Sequence, residues 1–428
     1  MGAKLRTEWF TNDRFGMFIH WGIYSVLAHG EWARFYEKIS NNDYEKYFNT
    51  FDPIDYDPRS WARAAKNAGM KYAVMTAKHH DGFCLFDSVL TDYKATNTKA
   101  GRDLIKDYVE AFRAEGLKVG LYYSLIDWHH PDYPHYGHRL HPMRDNEDYK
   151  GLNHDFDRYI GYMHGQVEEL CRNYGKIDLM WFDFSYDDME GSKWQAEKLV
   201  KMVRSYQPDV VIDNRLEVHL QQNTSLVSGD PLIYSGDFIS PEQVMPPQGF
   251  KNAKGEKIPW EECLTMNDHW GFCYGDDNFK PASMLVKVLT ECVSKDGNLL
   301  VNVGPDARGN IPEESVRILN GIGRWMEKNS ESIYGCGSAD MPKPENGRIT
   351  RKDNVYYYHV YERPVGTLPL FGFSPKDIKS VRLLSSGNEL QLQKGWPATD
   401  FPDIAFVHTD KYIADPEKGN NTLAIEMK

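Results

Sequence analysis

The run Ile177-Asp178-Leu179-Met180-Trp181-Phe182-Asp183-Phe184-Ser185-Tyr186 reads as a buried strand that delivers a carboxylate among aromatic rings. Strand alternation puts Trp181 and Asp183 on one face and Phe182 on the other. An Asp at a strand end also caps a following helix in many proteins, so its meaning depends on what the other strand ends bring. Phe18 and His20 share a face in the segment Arg14 to Gly22, and Lys78-His79-His80-Asp81-Gly82-Phe83 adds two adjacent imidazoles. Three strand-end histidines suit either metal ligation or neutral hydrogen bonding to hydroxyls. The spacing weighs against a metal, because there is no His-x-His or His-x3-His pattern and adjacent rings do not readily aim at one ion. Tyr122, Tyr123 and Asp127-Trp128 follow a third segment, and Asp213-Asn214-Arg215 a fifth. Arg215 is suited to clamp a nucleophilic carboxylate and hold its pKa down, although a surface ion pair would use the same residue. Gly236-Asp237-Phe238-Ile239-Ser240-Pro241-Glu242 carries two carboxylates, and Asn267-Asp268-His269-Trp270-Gly271-Phe272 is aromatic and polar together, with Asp268 and His269 read as supporting groups.

Aromatic walls, His and Arg donors and at least two carboxylates are what glycoside hydrolysis requires. One carboxylate attacks the anomeric carbon, and a second, with a raised pKa, protonates the leaving oxygen.

These groups need elements that bring them to one place. Short apolar segments alternate with amphipathic ones through the first three-quarters of the chain, the pattern of βα units around a parallel sheet. Strand ends are expected near His20, His79, Tyr123, Asp183, Arg215, Phe238, Trp270 and Val303. Helices are punctuated at Asp57 to Gly69, Asp103 to Gly116, Asp155 to Gly175, Ser192 to Tyr206 and Ala282 to Lys295. The stretches 216–232 and 239–262 read as loop-like crossovers. The expected fold is therefore α/β, an irregular (β/α)8 TIM-like barrel over 1–337, with active-site groups at strand C-termini. From 338 to 428 the pattern turns to alternating runs such as Asn354 to Tyr361, Leu368 to Phe373 and Leu423 to Glu426, read as a C-terminal β-sandwich.

The chain has 428 residues, 41% of them hydrophobic and 26% charged, enough to bury a substantial core. Its 50 basic and 62 acidic residues leave a net charge of −12, which argues against nucleic acid as a partner. Eleven Trp and 26 Tyr provide rings on which sugar faces stack. No apolar run approaches the roughly 18 residues of a membrane span, so no membrane partner is expected. Six scattered cysteines show no CxxC and signal neither a disulfide framework nor a zinc site. A cytoplasmic setting fits, or a periplasmic or secreted one if a leader has been removed; oligomeric state is left open.

Taken in order, Phe15 to Gly22, Gly30-Glu31-Trp32, Lys78 to Phe83, Gly120-Leu121-Tyr122-Tyr123-Ser124, Trp181-Phe182-Asp183 and Gly297 to Pro305 resemble glycoside hydrolase family 29, the retaining α-L-fucosidases. The resemblance implies no cofactor or metal and a fucosylated oligosaccharide or glycoconjugate as substrate. It implies Asp183 as the nucleophile of a covalent fucosyl-enzyme. His20, Glu31, Trp32, His79, His80, Tyr122 and Arg215 would hold the sugar hydroxyls and the nucleophile, and Phe18, Trp181 and Trp270 would line the wall for the C5 methyl. The family's Asp-Phe-x-x-x-Glu pattern nominates Glu242 as the acid/base, with Glu217, Glu261 and Glu262 as rivals. After the nucleophile, Phe184-Ser185-Tyr186-Asp187-Asp188 replaces the small residue often found in the family, which bears on the leaving-group subsite. Two other readings use the same residues: a metal-dependent barrel hydrolase, and a sugar-binding barrel without catalysis.

Overall fold

A computed structural model describes residues 3–187, 189–216, 234–408 and 421–428. Glu217 and nearly all of the expected crossover 216–232 lie outside them.

Seven parallel strands curl into one sheet: β1 (Phe15–Ile19), β2 (Tyr72–Lys78), β3 (Lys118–Ser124), β4 (Leu179–Asp183), β5 (Val211–Ile212), β8 (Trp260–Thr265) and β9 (Gly297–Val303). Between β5 and β8 the described residues form the small hairpin β6 (Phe250–Lys251) and β7 (Lys257–Ile258). The sheet order is β5-β4-β3-β2-β1-β9-β8. Strands covered on both faces read as continuous apolar runs, and β1 and β2 are buried at every position. Alternation still sorts their side chains. Phe15, Met17 and Ile19 face the surrounding helices, whereas Phe18, Val74, Tyr122 and Trp181 pack into a separate cluster inside the curl.

The expected helices are present at Pro58–Asn67, Leu104–Ala114, Phe156–Asn173, Ala196–Tyr206 and Ala282–Ser294. Three begin as their caps dictate: the side chains of Asp57, Asp103 and Asp155 accept from the backbone N–H groups of Arg59, Lys106 and Arg158.

Four expectations need correction. The eighth strand, expected to end near Phe238, is reduced to isolated parallel bridges, Asp213 to Phe238, Ile239 to Trp260 and Glu242 to Cys263. Hydrogen-bonded ladders therefore do not close the ring. Two features interrupt it: the Asn214 side chain takes the Ser240 N–H at 3.2 Å, and Pro241 has no N–H to give. Next, β5 ends at Ile212, so Arg215 stands in the following turn. Third, β8 ends at Thr265, which leaves Trp270 in a loop. Finally, β8 starts at Trp260, inside the stretch expected to be a loop-like crossover. Adjacent Glu261 and Glu262 hide a strand whose every residue is buried.

The C-terminal part holds an antiparallel sheet of β10 (Gly337–Ser338), β11 (Gly347–Lys352), β12 (Val355–Val360), β14 (Ile378–Leu383) and β16 (Thr422–Met427), ordered β10-β11-β12-β16-β14. A second pair, β13 (Leu368–Leu370) and β15 (Ala405–Val407), shares with it the apolar cluster of Val360, Leu370, Val381, Val407 and Ile425. On the other face Tyr357 and Ala424 join the main core, and the Trp325 indole donates to Asn421 at 2.8 Å. No helix among the described residues is long and apolar enough to cross a membrane.

Candidate active site

The strand ends surround a cavity of about 480 Å³. Register decides which groups meet there. Tyr122 and Trp181 are partners across β3 and β4, so their rings stack at 5.6 Å and 22°. Asp183 is the last residue of β4, two positions on and on the same face, and the Tyr122 hydroxyl donates to its Oδ2 at 2.9 Å. Arg215 reaches in from its turn with its guanidinium over the Trp181 ring at 4.5 Å. Its Nε and Nη2 donate to the Ser240 Oγ and carbonyl at 2.9 and 3.0 Å, which fixes the plane of the fork. Nη1 then donates to Asp183 Oδ1 at 3.0 Å and to Glu242 Oε2 at 2.8 Å.

Because both oxygens rest on one nitrogen, they are at most about 6 Å apart, a bound that admits the roughly 5–5.5 Å of a double-displacement pair. The Asp183 side chain is 16% exposed and that of Glu242 32%. The sequence led us to expect Arg215 to hold the Asp183 pKa down. Its pull is present, but burial outweighs it and the nearby Glu242 charge adds to burial, so the Asp183 carboxyl lies above its ordinary value.

Phe18 forms the floor, with Trp181 at 5.3 Å and Trp270 at 5.8 Å. His20, one residue past β1, packs against Trp270 at 5.0 Å, and its Nδ1 lies 2.7 Å from Asn302 Oδ1. Asn302 uses its Nδ2 to donate to the Trp270 carbonyl at 2.7 Å, so its oxygen is the acceptor. His20 Nδ1 must therefore carry the proton, which leaves Nε2 as an acceptor. Burial pushes the His20 pKa down to about 3, so the ring stays neutral. Glu31 and Trp32 line the cavity, and Glu31 accepts from the Gly271 N–H at 2.8 Å, tying the Trp270 loop to the site. His79 also lines it, its ring 5.3 Å from Tyr122.

His80 does not line this cavity. Its ring stacks on Trp128 at 3.8 Å and packs on Trp32 at 4.8 Å, behind the wall rather than in it. Consecutive residues at a strand end face different ways, and here only the first faces the site. Of the rival carboxylates, Glu261 is buried inside the curl, where it accepts from the Tyr72 hydroxyl, and Glu262 accepts from the Val244 N–H at 3.0 Å. Burial pushes both up to about 8, yet neither lines the cavity. Asp237 is held by Arg6 and Arg204 at 2.9 and 2.5 Å, away from Asp183. His269 pairs with Asp276 at 2.6 Å, and Asp268 accepts from Asn278 at 3.1 Å.

Sequence reasoning overlooked several contributors. Asn302 lies in the run Gly297 to Pro305, and the pairing of β1 with β9 that sets it opposite Phe18 appears only in the fold. Ser240 sits two residues before Glu242 and orients Arg215. At the mouth stand Arg139, Leu140 and Tyr186; the Tyr186 hydroxyl meets Tyr133 at 2.9 Å and His138 at 3.0 Å. No pattern in 129–155 announced Arg139 and Leu140, whereas Tyr186 stands in the run that ends β4.

Known proteins carry the same arrangement of chain. The family described as Alpha-L-fucosidase matches residues 3–331. The structure of alpha-L-fucosidase isoenzyme 1 from Paenibacillus thiaminolyticus is 55% identical with a TM-score of 0.95, over 100% of this chain and 99% of that one. A GH29 alpha-L-fucosidase from Bacteroides thetaiotaomicron, trapped as a covalent intermediate with 2-fluoro-fucosyl fluoride, is 26% identical with a TM-score of 0.82, over 99% and 96% of the two chains. The human plasma alpha-L-fucosidase is 27% identical over 437 residues, covering 94% of this chain and 87% of its own. The chain belongs to the α-L-fucosidase family, glycoside hydrolase family 29.

Proposed function

We propose that this α-L-fucosidase cleaves terminal fucose from fucosylated glycans by double displacement, with Asp183 as nucleophile and Glu242 as acid/base. Asp183 attacks the anomeric carbon while Glu242 gives its proton to the leaving oxygen. A fucosyl ester forms on Asp183, Glu242 then takes a proton from water, and that water displaces the ester with the original anomeric configuration restored. The observation that carries this is Arg215 Nη1, which holds an oxygen of each carboxylate within 3.0 Å. A sugar-binding protein without catalysis would have no use for two carboxylates at that spacing.

His20 Nε2, His79, Glu31 and Trp32 engage the ring hydroxyls, while Phe18, Trp181 and Trp270 form the wall for the C5 methyl. A hydroxymethyl group there meets no partner on an aromatic wall, worth about 1–3 kcal/mol of discrimination. His80 acts indirectly, by supporting Trp32. The curled sheet is a (β/α)8 barrel whose eighth strand survives as the bridges of 237–242, and residues 338–428 form a β-sandwich domain after a catalytic domain of 1–337.

Asp183→Ala tests the assignment. Turnover of an aryl α-L-fucoside should fall by several orders of magnitude, and azide should restore part of it with β-fucosyl azide as product. Turnover near the parent's would refute it.

A further inference from the structure

A second cavity of about 820 Å³ runs from the active-site mouth to the C-terminal sheet. It shares Pro241, Val244 and Phe250 with the catalytic cavity, so the two adjoin along those residues. Its far wall is the segment leading from β10 into β11, including Met341, Pro342 and Pro344. A glycan held by its fucose at Asp183 has to leave through the mouth, and the adjoining trough offers about 820 Å³ of space for the sugars beyond the scissile bond.

The charge of the trough is opposite to that of the protein. Five cationic side chains line it, Lys251, Lys257, Lys295, Lys343 and Arg348, against the acidic Asp296 and Asp340, in a chain of net charge −12. Three of the five are already engaged. Lys257 bridges Asp296 and Asp340 at 2.8 and 3.3 Å, and Lys295 and Arg348 converge on Glu291 at 2.7 and 2.5 Å. Lys251 and Lys343 form no ion pair among the described residues and are exposed in the lining, one on β6 and the other between β10 and β11. Two unpaired cations in a trough lined by prolines and apolar side chains fit a ligand with a sugar face and a negative charge.

Resting on the fucosidase reading above, we propose that this trough binds the leaving-group part of the substrate and favours a leaving group that carries an anion, a sugar carboxylate or a sulfate ester. The C-terminal domain then contributes to substrate choice as well as to packing.

The test compares kcat/KM for a neutral fucosylated oligosaccharide, its sialylated counterpart and its sulfated counterpart, with an aryl α-L-fucoside as control. The native protein should prefer at least one anionic substrate by about three- to tenfold at low ionic strength, the scale of two exposed ion pairs. That preference should shrink in added salt. The double variant Lys251→Glu/Lys343→Glu should lose or reverse it while cleaving the aryl fucoside at the native rate. Which anion is preferred identifies the source of the charge. Equal kcat/KM for all three oligosaccharides, or the same preference in the double variant, would overturn the proposal while leaving the fucosidase reading intact. Failure of the native protein on the aryl fucoside and every oligosaccharide would instead strike the reading beneath it.

Discussion

Replacing Glu242 by Gln removes one proton and little else. The amide oxygen can still accept from Arg215 Nη1, which lies 2.8 Å from the present carboxylate, so the fork stays anchored by Ser240 and Asp183. What is lost is the proton for the leaving oxygen and, later, the base for water. General acid catalysis is worth about 10²- to 10⁴-fold, or roughly 3–5 kcal/mol of barrier. A sugar leaving group needs that proton and should lose the full factor in kcat/KM. A dinitrophenyl fucoside departs as a stable anion, so its kcat/KM should stay within about tenfold of native. Its kcat should fall, because water must now attack the fucosyl ester without a base, and azide, which needs none, should restore it with α-fucosyl azide as product. The assay is steady-state kinetics on both substrates with and without azide, plus product analysis by NMR. Equal losses on the two substrates, or an azide product of β configuration, would refute the role of Glu242 and return the choice to its rivals.

Two further outcomes follow from the same geometry. Tyr122→Phe takes away the 2.9 Å donor to Asp183 Oδ2, and that donor favours the ionised carboxylate, so the Asp183 pKa should rise further. A hydrogen bond to a charged group is worth about 1.5–3 kcal/mol, so the acid limb of kcat/KM should move up by about one to two pH units; an unmoved or lowered limb contradicts the arrangement. Glu261 is buried, with its pKa pushed up to about 8 from an ordinary 4.5. Its folded value lies above its unfolded one, so it costs nothing below about pH 4.5 and about 1.4 kcal/mol per pH unit as pH rises toward 8. Glu261→Gln should therefore gain stability relative to the native protein between pH 5 and pH 8 in urea unfolding. A difference that stays constant with pH would show that this carboxyl is not held neutral.

Sequence and structure agree where one physical rule acts alone. Parity along a strand correctly paired Trp181 with Asp183 and Phe18 with His20, because side-chain alternation does not depend on tertiary context. Asp57, Asp103 and Asp155 marked helix starts because an N-cap is a local hydrogen bond. Agreement fails where distant groups compete. The segment ending near Phe238 looked like a full strand, but the Asn214 side chain takes the Ser240 N–H and only isolated bridges remain. Glu261 and Glu262 looked like equal rivals to Glu242, and their raised pKa values alone would have favoured them; only position relative to the cavity separates an acid that can reach the leaving group from two that cannot. Asn302 went unnoticed because fixing the His20 tautomer requires two hydrogen bonds from partners that the sequence keeps far apart.

The claim that Asp183 becomes covalently bonded to fucose can be measured directly. Incubation with 2-fluoro-fucosyl fluoride should add one fluorofucosyl mass to the intact protein, and peptide mapping should locate it on Asp183. A label on Glu242 or another residue, or inactivation without any label, would contradict the account at its centre.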